Sequence, residues 1–174
     1  MDIKRLFIIS GPASVGKTTV SRILGHHLTE KTAIVDGDDI LRFQLVGGNI
    51  NDFFLKNAKS IIQNFLKNGV DVVFSHSVLP EEIDELVAGL DQEEVKVVYL
   101  TAGLKTLQLR NQTRPTDGQT RLDLEQELGR FDNAKIDPKY ILDNSKYSLS
   151  ETARIIIEEE RFILKWKIKN LRSS

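Results

Sequence analysis

Cysteine is absent from the 174 residues, which excludes disulfides and thiolate metal sites and makes a reducing compartment the expected setting. An excess of charge of either sign is also lacking. The 24 Lys and Arg nearly balance 25 Asp and Glu, for a formal net charge of −1. Nothing global therefore points to nucleic acid or to an anionic membrane surface. Long hydrophobic runs are missing too. The apolar run at residues 6–9 is too short for a signal-peptide core, and no stretch approaches the ~18 apolar residues of a membrane span. The expectation is a cytoplasmic protein, monomer or homodimer, without a nucleic-acid or membrane partner. What is present suits one globular domain over residues 1–174, with 40% apolar and 28% charged residues.

Short apolar runs alternate with helical periodicity. Residues 5–10, 32–36, 70–75, 95–100 and 140–143 read as strands. Helices are expected over 17–28, 39–45, 52–67, from Pro80, over 104–110 and 121–131, and from the capping-box sequence Ser148-Leu149-Ser150-Glu151 to about residue 160. In the tail, Leu164, Trp166 and Ile168 alternate with lysines, which suits an edge strand; a continued helix is the alternative. This order predicts an α/β fold with a mostly parallel five-stranded sheet and helices on both faces. Ligands of such sheets sit beyond the carboxyl ends of the strands, so the loops after Ser10, Asp36, Ser75 and Leu100 should share one rim.

The first of those loops, Gly11-Pro12-Ala13-Ser14-Val15-Gly16-Lys17-Thr18, fits G-x-x-x-x-G-K-[ST]. Polyphosphate needs several N–H donors converging on a small concavity. Glycines allow the backbone to curl that tightly, and the following helix adds its positive end. Chance produces the pattern in about 0.6% of chains of this length, and the flanking strand and helix are those the motif requires. Lys17 is expected at the β- and γ-phosphates, the Thr18 hydroxyl at Mg²⁺, and Thr19 beside them. The nucleotide expected is ATP.

Asp36, Asp38 and Asp39 follow the second strand. Phosphoryl transfer needs one acid to help hold metal and one to receive the acceptor's hydroxyl proton; Asp36 and Asp38 are the candidates, and Asp39 is read as the cap of the next helix. Arg110, Arg114 and Arg121 flank a polar segment with Pro115 and Gly118, as in a mobile lid over about 111–121 whose guanidinium groups stabilise the transferring phosphoryl. His76, at the end of the third strand, is either an acceptor contact or a plain polar loop residue. Phe43, Phe53 and Phe54 either wall the acceptor site or pack.

These motifs resemble the small-molecule kinase branch of P-loop proteins: shikimate kinase, gluconate kinase and chloramphenicol phosphotransferase. The resemblance rests on residues 11–18, Asp36-Gly37-Asp38, the segment Leu107-Gln108-Leu109-Arg110 through Arg114-Pro115, and Leu142-Asp143-Asn144-Ser145 before the last capping box. Val46-Gly47-Gly48 and Ile136-Asp137-Pro138-Lys139-Tyr140 look most like small bacterial proteins provisionally labelled gluconate kinases. The resemblance implies a P-loop NTPase three-layer α/β/α sandwich. It implies Asp36 on the Mg²⁺ side, Asp38 at the acceptor hydroxyl, Arg110 against adenine with Asn144 and Ser145 nearby, Arg114 acting from the lid, and Arg130 as an acceptor contact; Arg42 and His76, the latter with proton transfer as an alternative role, are further acceptor-site candidates read from the residues themselves. The third strand departs from the pattern. It ends Phe74-Ser75-His76-Ser77, without the acid many relatives carry there. The expected activity is ATP-dependent phosphorylation of a small hydroxylated acceptor such as a sugar acid, a polyol or an antibiotic. A nucleotide or nucleoside kinase and a nucleotide-binding regulator are the alternatives.

Overall fold

The computed structural model describes residues 4–28, 31–90 and 94–165. Five strands form one sheet: β1 (Arg5–Ser10), β2 (Thr32–Asp36), β3 (Asp71–Ser75), β4 (Glu94–Thr101) and β5 (Ile141–Asp143). Their order is β2-β3-β1-β4-β5 and every pairing is parallel. The helices are α1 (Lys17–His27), α2 (Gly37–Leu41), α3 (Phe54–Lys67), α4 (Pro80–Val87), α5 (Leu104–Gln112), α6 (Leu124–Asp132) and α7 (Leu149–Glu158). No described helix is long and apolar enough to cross a membrane.

A parallel sheet is covered on both faces, so its central strands are apolar throughout and alternate residues serve opposite cores. In β1, Leu6 and Ile8 join the core built with Ala58, Ile62 and Leu66 of α3 and Ile83 and Leu86 of α4. Phe7 and Ile9 join the other, with Val20 and Leu24 of α1 and Ala153 and Ile156 of α7. The β1 register places Ile9 opposite Ser75 of β3 and Ser10 opposite Tyr99 of β4, which brings the loops after β1 and β3 side by side.

Several predicted boundaries move for local reasons. The helix expected over 39–45 is the short α2, and Asp36 rather than Asp39 caps it by accepting the Asp38 N–H. The helix expected from 121 starts at Leu124, where Asp123 accepts the N–H groups of Glu125 and Gln126. The helix expected from 52 begins as a 3₁₀ turn, Ile50–Phe53, before α3. In the tail, Ile163 makes an isolated antiparallel bridge to Lys96, and the Leu164 N–H donates to the Val95 carbonyl at 2.8 Å. That is the start of an edge pairing; the rest of the expected strand, residues 166–169, lies outside the described residues.

One buried ion pair ties β1 to β3 at the end of the sheet away from the strand carboxyl ends. Asp71, 3% exposed, accepts the Arg5 N–H at 2.9 Å and the Arg5 Nε–H at 2.8 Å. Removing Asp71 leaves the part-buried Arg5 guanidinium, a quarter exposed, and the Arg5 N–H without this partner. Asp71→Ala is expected to lower unfolding free energy by about 3 kcal/mol in urea titration while nucleotide affinity stays unchanged, because the pair is at the far end of the strands.

Candidate phosphoryl-transfer site

The loop between β1 and α1 takes a shape that few sequences allow. Gly11 has φ 135°, and a Cβ there would lie 2.3 Å from the Leu100 carbonyl oxygen. Ser14 has φ 63°, the one positive φ outside glycine among the described residues, and Gly16 has φ 106°. Together these residues curl the loop around the N-terminus of α1. No acidic side chain occupies the first turn of α1, so its positive end is left to an anionic ligand.

Lys17 folds back over the loop, donating from Nζ to the carbonyls of Gly11 and Pro12, both at 2.9 Å. Desolvation lowers its pKa from 10.5 to about 8, although Asp38, Glu127 and Asp36 pull the other way. The loop is anchored from behind. The Val15 carbonyl accepts from Asn144 Nδ2 at 2.7 Å and from Arg110 Nη1 at 2.8 Å, and Arg110 Nη1 also reaches Asn144 Oδ1 at 3.0 Å. Two of the residues expected near adenine are thus tied to the back of the loop. Asn144 is buried against the loop, Arg110 is fastened to it, and Ser145 closes a turn on Asp143 at 2.6 Å. None of the three lines the cavity in front of the loop, nor does Thr19, which is exposed on α1.

That cavity has a volume of roughly 660 Å³ and opens beyond the carboxyl ends of β1, β2 and β3. Ala13, Ser14, Gly16, Lys17 and Thr18 form its phosphate end. Of the four loops expected on one rim, the loop after Leu100 does not reach it. The Thr18 hydroxyl donates to Asp36 Oδ2 at 2.8 Å. A hydroxyl whose proton is held by a carboxylate turns its lone pairs outward to a cation. Ser75, in register with Asp36, lines the same cavity, and its buried hydroxyl has no hydrogen-bond partner. This donor set fits Mg²⁺, which binds through one or two carboxylates together with substrate phosphates and waters rather than in an all-protein cage. In keeping with that, the described residues contain no cluster of three or more His, Asp or Glu side chains arranged to hold a metal alone.

Asp38 projects from the first turn of α2, and its Oδ1 lies 3.4 Å from His76 Nδ1. The hydrogen bond from His76 is the main influence holding the carboxyl below its usual range, against the effect of burial. His76 packs on Phe54 with ring centroids 4.4 Å apart, so Phe54 both packs and lines the cavity. Phe43 and Phe53 are exposed and do not line it. Gly37 makes this arrangement possible: a Cβ there would meet His76 Cγ at 2.5 Å. Gly37→Ala is therefore expected to displace the imidazole and to cost about 1–2 kcal/mol in urea titration despite alanine's better helix propensity.

The remaining predicted residues divide. Arg114 and Arg130 line the cavity; Arg42 and Arg121 do not. Arg42 turns to Asp39 at 2.8 Å on the exposed side of α2. Arg121 precedes the start of α6, in an exposed stretch. Arg130 Nη2 donates to the Ser77 carbonyl at 2.6 Å, and its Nη1 lies 3.4 Å from Glu127 Oε1. Glu82, which the sequence marks only as suited to the positive end of the helix from Pro80, and Glu127, which it does not mark, also line the cavity. So does Ser77, whose hydroxyl donates to the Gly11 carbonyl at 3.0 Å. Asn111, at the base of the expected lid, is another residue the sequence left unmarked. Its Oδ1 accepts from the Ser14 hydroxyl at 3.3 Å and from the Thr120 N–H at 2.9 Å, joining phosphate loop and lid.

No protein-family profile and no curated protein matches the chain in sequence. Solved structures do match in shape. A sugar kinase from Janibacter sp. HTCC2649, unliganded, superposes with TM-score 0.66 at 16% identity, covering 92% of this chain and 97% of that one. A gluconokinase from Sinorhizobium meliloti 1021 gives 0.59 at 18%, covering 90% and 91%. The Mycobacterium tuberculosis APS kinase CysC, in complex with AMPPNP and APS, gives 0.65 at 14%, covering 90% and 97%. At such identities likeness speaks for architecture alone, and the architecture of this chain is the α/β fold of the P-loop kinases.

Proposed function

We propose that the chain is an ATP- and Mg²⁺-dependent kinase that moves the γ-phosphoryl group to a hydroxyl of a small molecule. The observation that carries this reading is the single cavity joining Lys17 and Thr18 to Asp38, a carboxylate at which an acceptor can be deprotonated.

Lys17 and the N-terminal amides of α1 bind and orient the polyphosphate. Thr18 and Asp36, with Ser75 behind them, are the residues that would hold Mg²⁺, which when bound neutralises charge on the phosphate oxygens. Asp38, oriented by His76, accepts the hydroxyl proton as the acceptor oxygen bonds to the γ-phosphorus. The bond from that phosphorus to the β–γ bridging oxygen breaks, and ADP leaves with the electron pair. Arg114, on the lid side of the cavity, is placed to stabilise the phosphoryl oxygens as charge spreads over them.

The reading is tested by incubating the purified chain with γ-labelled ATP, Mg²⁺ and a metabolite extract. Label should appear in an acid-stable small-molecule product. A chain that binds AMPPNP yet labels nothing across a broad acceptor panel is not a kinase.

A further inference from the structure

The charge of the acceptor end of the cavity restricts what can bind there. Asp38 on α2, Glu82 on α4 and Glu127 on α6 reach it from three separate elements. Glu82 Oε2 accepts the Leu79 N–H at 2.7 Å as part of a capping box, which leaves Oε1 outside that bond. The cation beside these acids is already engaged, since Arg130 is held by the Ser77 carbonyl and Glu127. Arg42, the other cation expected to meet the acceptor, is paired with Asp39 outside the cavity. Lys17 belongs to the phosphate end, and Arg114 comes from the lid side, donating to the Gly118 carbonyl at 3.5 Å. Over the whole lining, among the described residues, Asp36, Asp38, Glu82, Asp117 and Glu127 outnumber Lys17, Arg114 and Arg130.

An acceptor with its own carboxylate or phosphate would enter this surplus of negative charge next to the γ-phosphate, where Arg130 is already held by Glu127 and the Ser77 carbonyl. Like charges brought together in a partly desolvated site are strongly disfavoured. An ammonium group finds the opposite: the carboxylates of Asp38 and Glu82, on a lining that also holds His76 and Phe54. The buried Ser75 hydroxyl, which has no hydrogen-bond partner, also lines the cavity.

Resting on the kinase reading, we propose that the acceptor is an amino-bearing hydroxyl compound, an amino sugar or amino alcohol, and that its ammonium group lies against Glu82, whose Oε1 takes no part in the cap hydrogen bond. This narrows the expectation of a sugar acid, a polyol or an antibiotic, and sets the sugar acid aside.

The test compares skeleton-matched acceptors that differ in charge: glucosamine, glucose and gluconate; 3-aminopropane-1,2-diol, glycerol and glycerate. Phosphorylation is followed with γ-labelled ATP and Mg²⁺, and kcat/KM is compared within each set. The amine is expected to exceed its neutral partner by about tenfold and its acid by about a hundredfold. In Glu82→Gln, which keeps the cap hydrogen bond, the preference for the amine should shrink several-fold. A neutral or acidic member preferred over its amine overturns the proposal. So does a panel in which nothing is phosphorylated although AMPPNP raises the melting temperature. Absence of any labelled product from the metabolite extract as well is the distinct result that sinks the kinase reading itself.

Discussion

Asp38→Asn is expected to reduce phosphoryl transfer by about 10²–10⁴-fold while ATP affinity stays within about twofold. Asparagine has the same shape and keeps the backbone N–H that Asp36 accepts at 3.1 Å, so α2 should form as before. Its carboxamide can still meet His76. What it lacks is a site for the acceptor's proton. In the native chain the hydrogen bond from His76 keeps Asp38 ionised, and so able to accept, well below neutral pH. Single-turnover transfer and AMPPNP titration, measured on the same preparation, check both halves of the expectation. A nucleotide-binding regulator would lose neither, so equal transfer in mutant and wild type would exclude Asp38 as the base. Assays with nucleosides and nucleoside monophosphates as acceptors address the nucleotide-kinase alternative separately.

Lys17→Met removes the charge but keeps a packed stem, and is expected to weaken ATP binding by roughly 10²–10³-fold, in line with loss of a desolvated, hydrogen-bonded charge. The native lysine should also confer a pH dependence whose sign follows from its pKa of about 8 in the unliganded site. Bound phosphate oxygens favour the ammonium form and raise that pKa. Below pH 8 the ammonium is already present and affinity should be flat. Above it the lysine must take up a proton to bind, and affinity should fall by up to about tenfold per pH unit. Calorimetry in buffers of different ionisation heat should show proton uptake rising toward one per ATP above pH 8, and none in Lys17→Met. Absence of uptake in the native chain would mean that Lys17 does not meet the phosphates.

The sheet and the phosphate loop were legible in the sequence because their signals are local. Buried parallel strands are short apolar runs, and the loop's glycines and Lys17-Thr18 must be contiguous. Asp36 and Asp38 could be placed because they follow a strand directly. Residues whose role depends on the angle between elements gave no signal. Glu127 reads as one acid on an ordinary helix face until α6 is seen to cross the strand ends. Glu82 reads as a cap, which it also is. Arg42 sits four residues from Asp38, yet α2 ends at Leu41 and directs it outward. Asn144 and Arg110 are far apart in sequence, and their shared grip on the Val15 carbonyl emerges only once α5 and the loop after β5 are brought behind the phosphate loop.

That position behind the loop has a consequence for the loop itself. In a trans peptide the carbonyl and the next N–H point in opposite directions. The clamp of Asn144 and Arg110 on the Val15 carbonyl therefore fixes the Val15–Gly16 peptide plane and turns the Gly16 N–H toward the cavity. A glycine-rich loop would otherwise lose backbone freedom each time it closed on a phosphate. Here the freedom has been given up during folding, and the donor is aimed before any anion arrives.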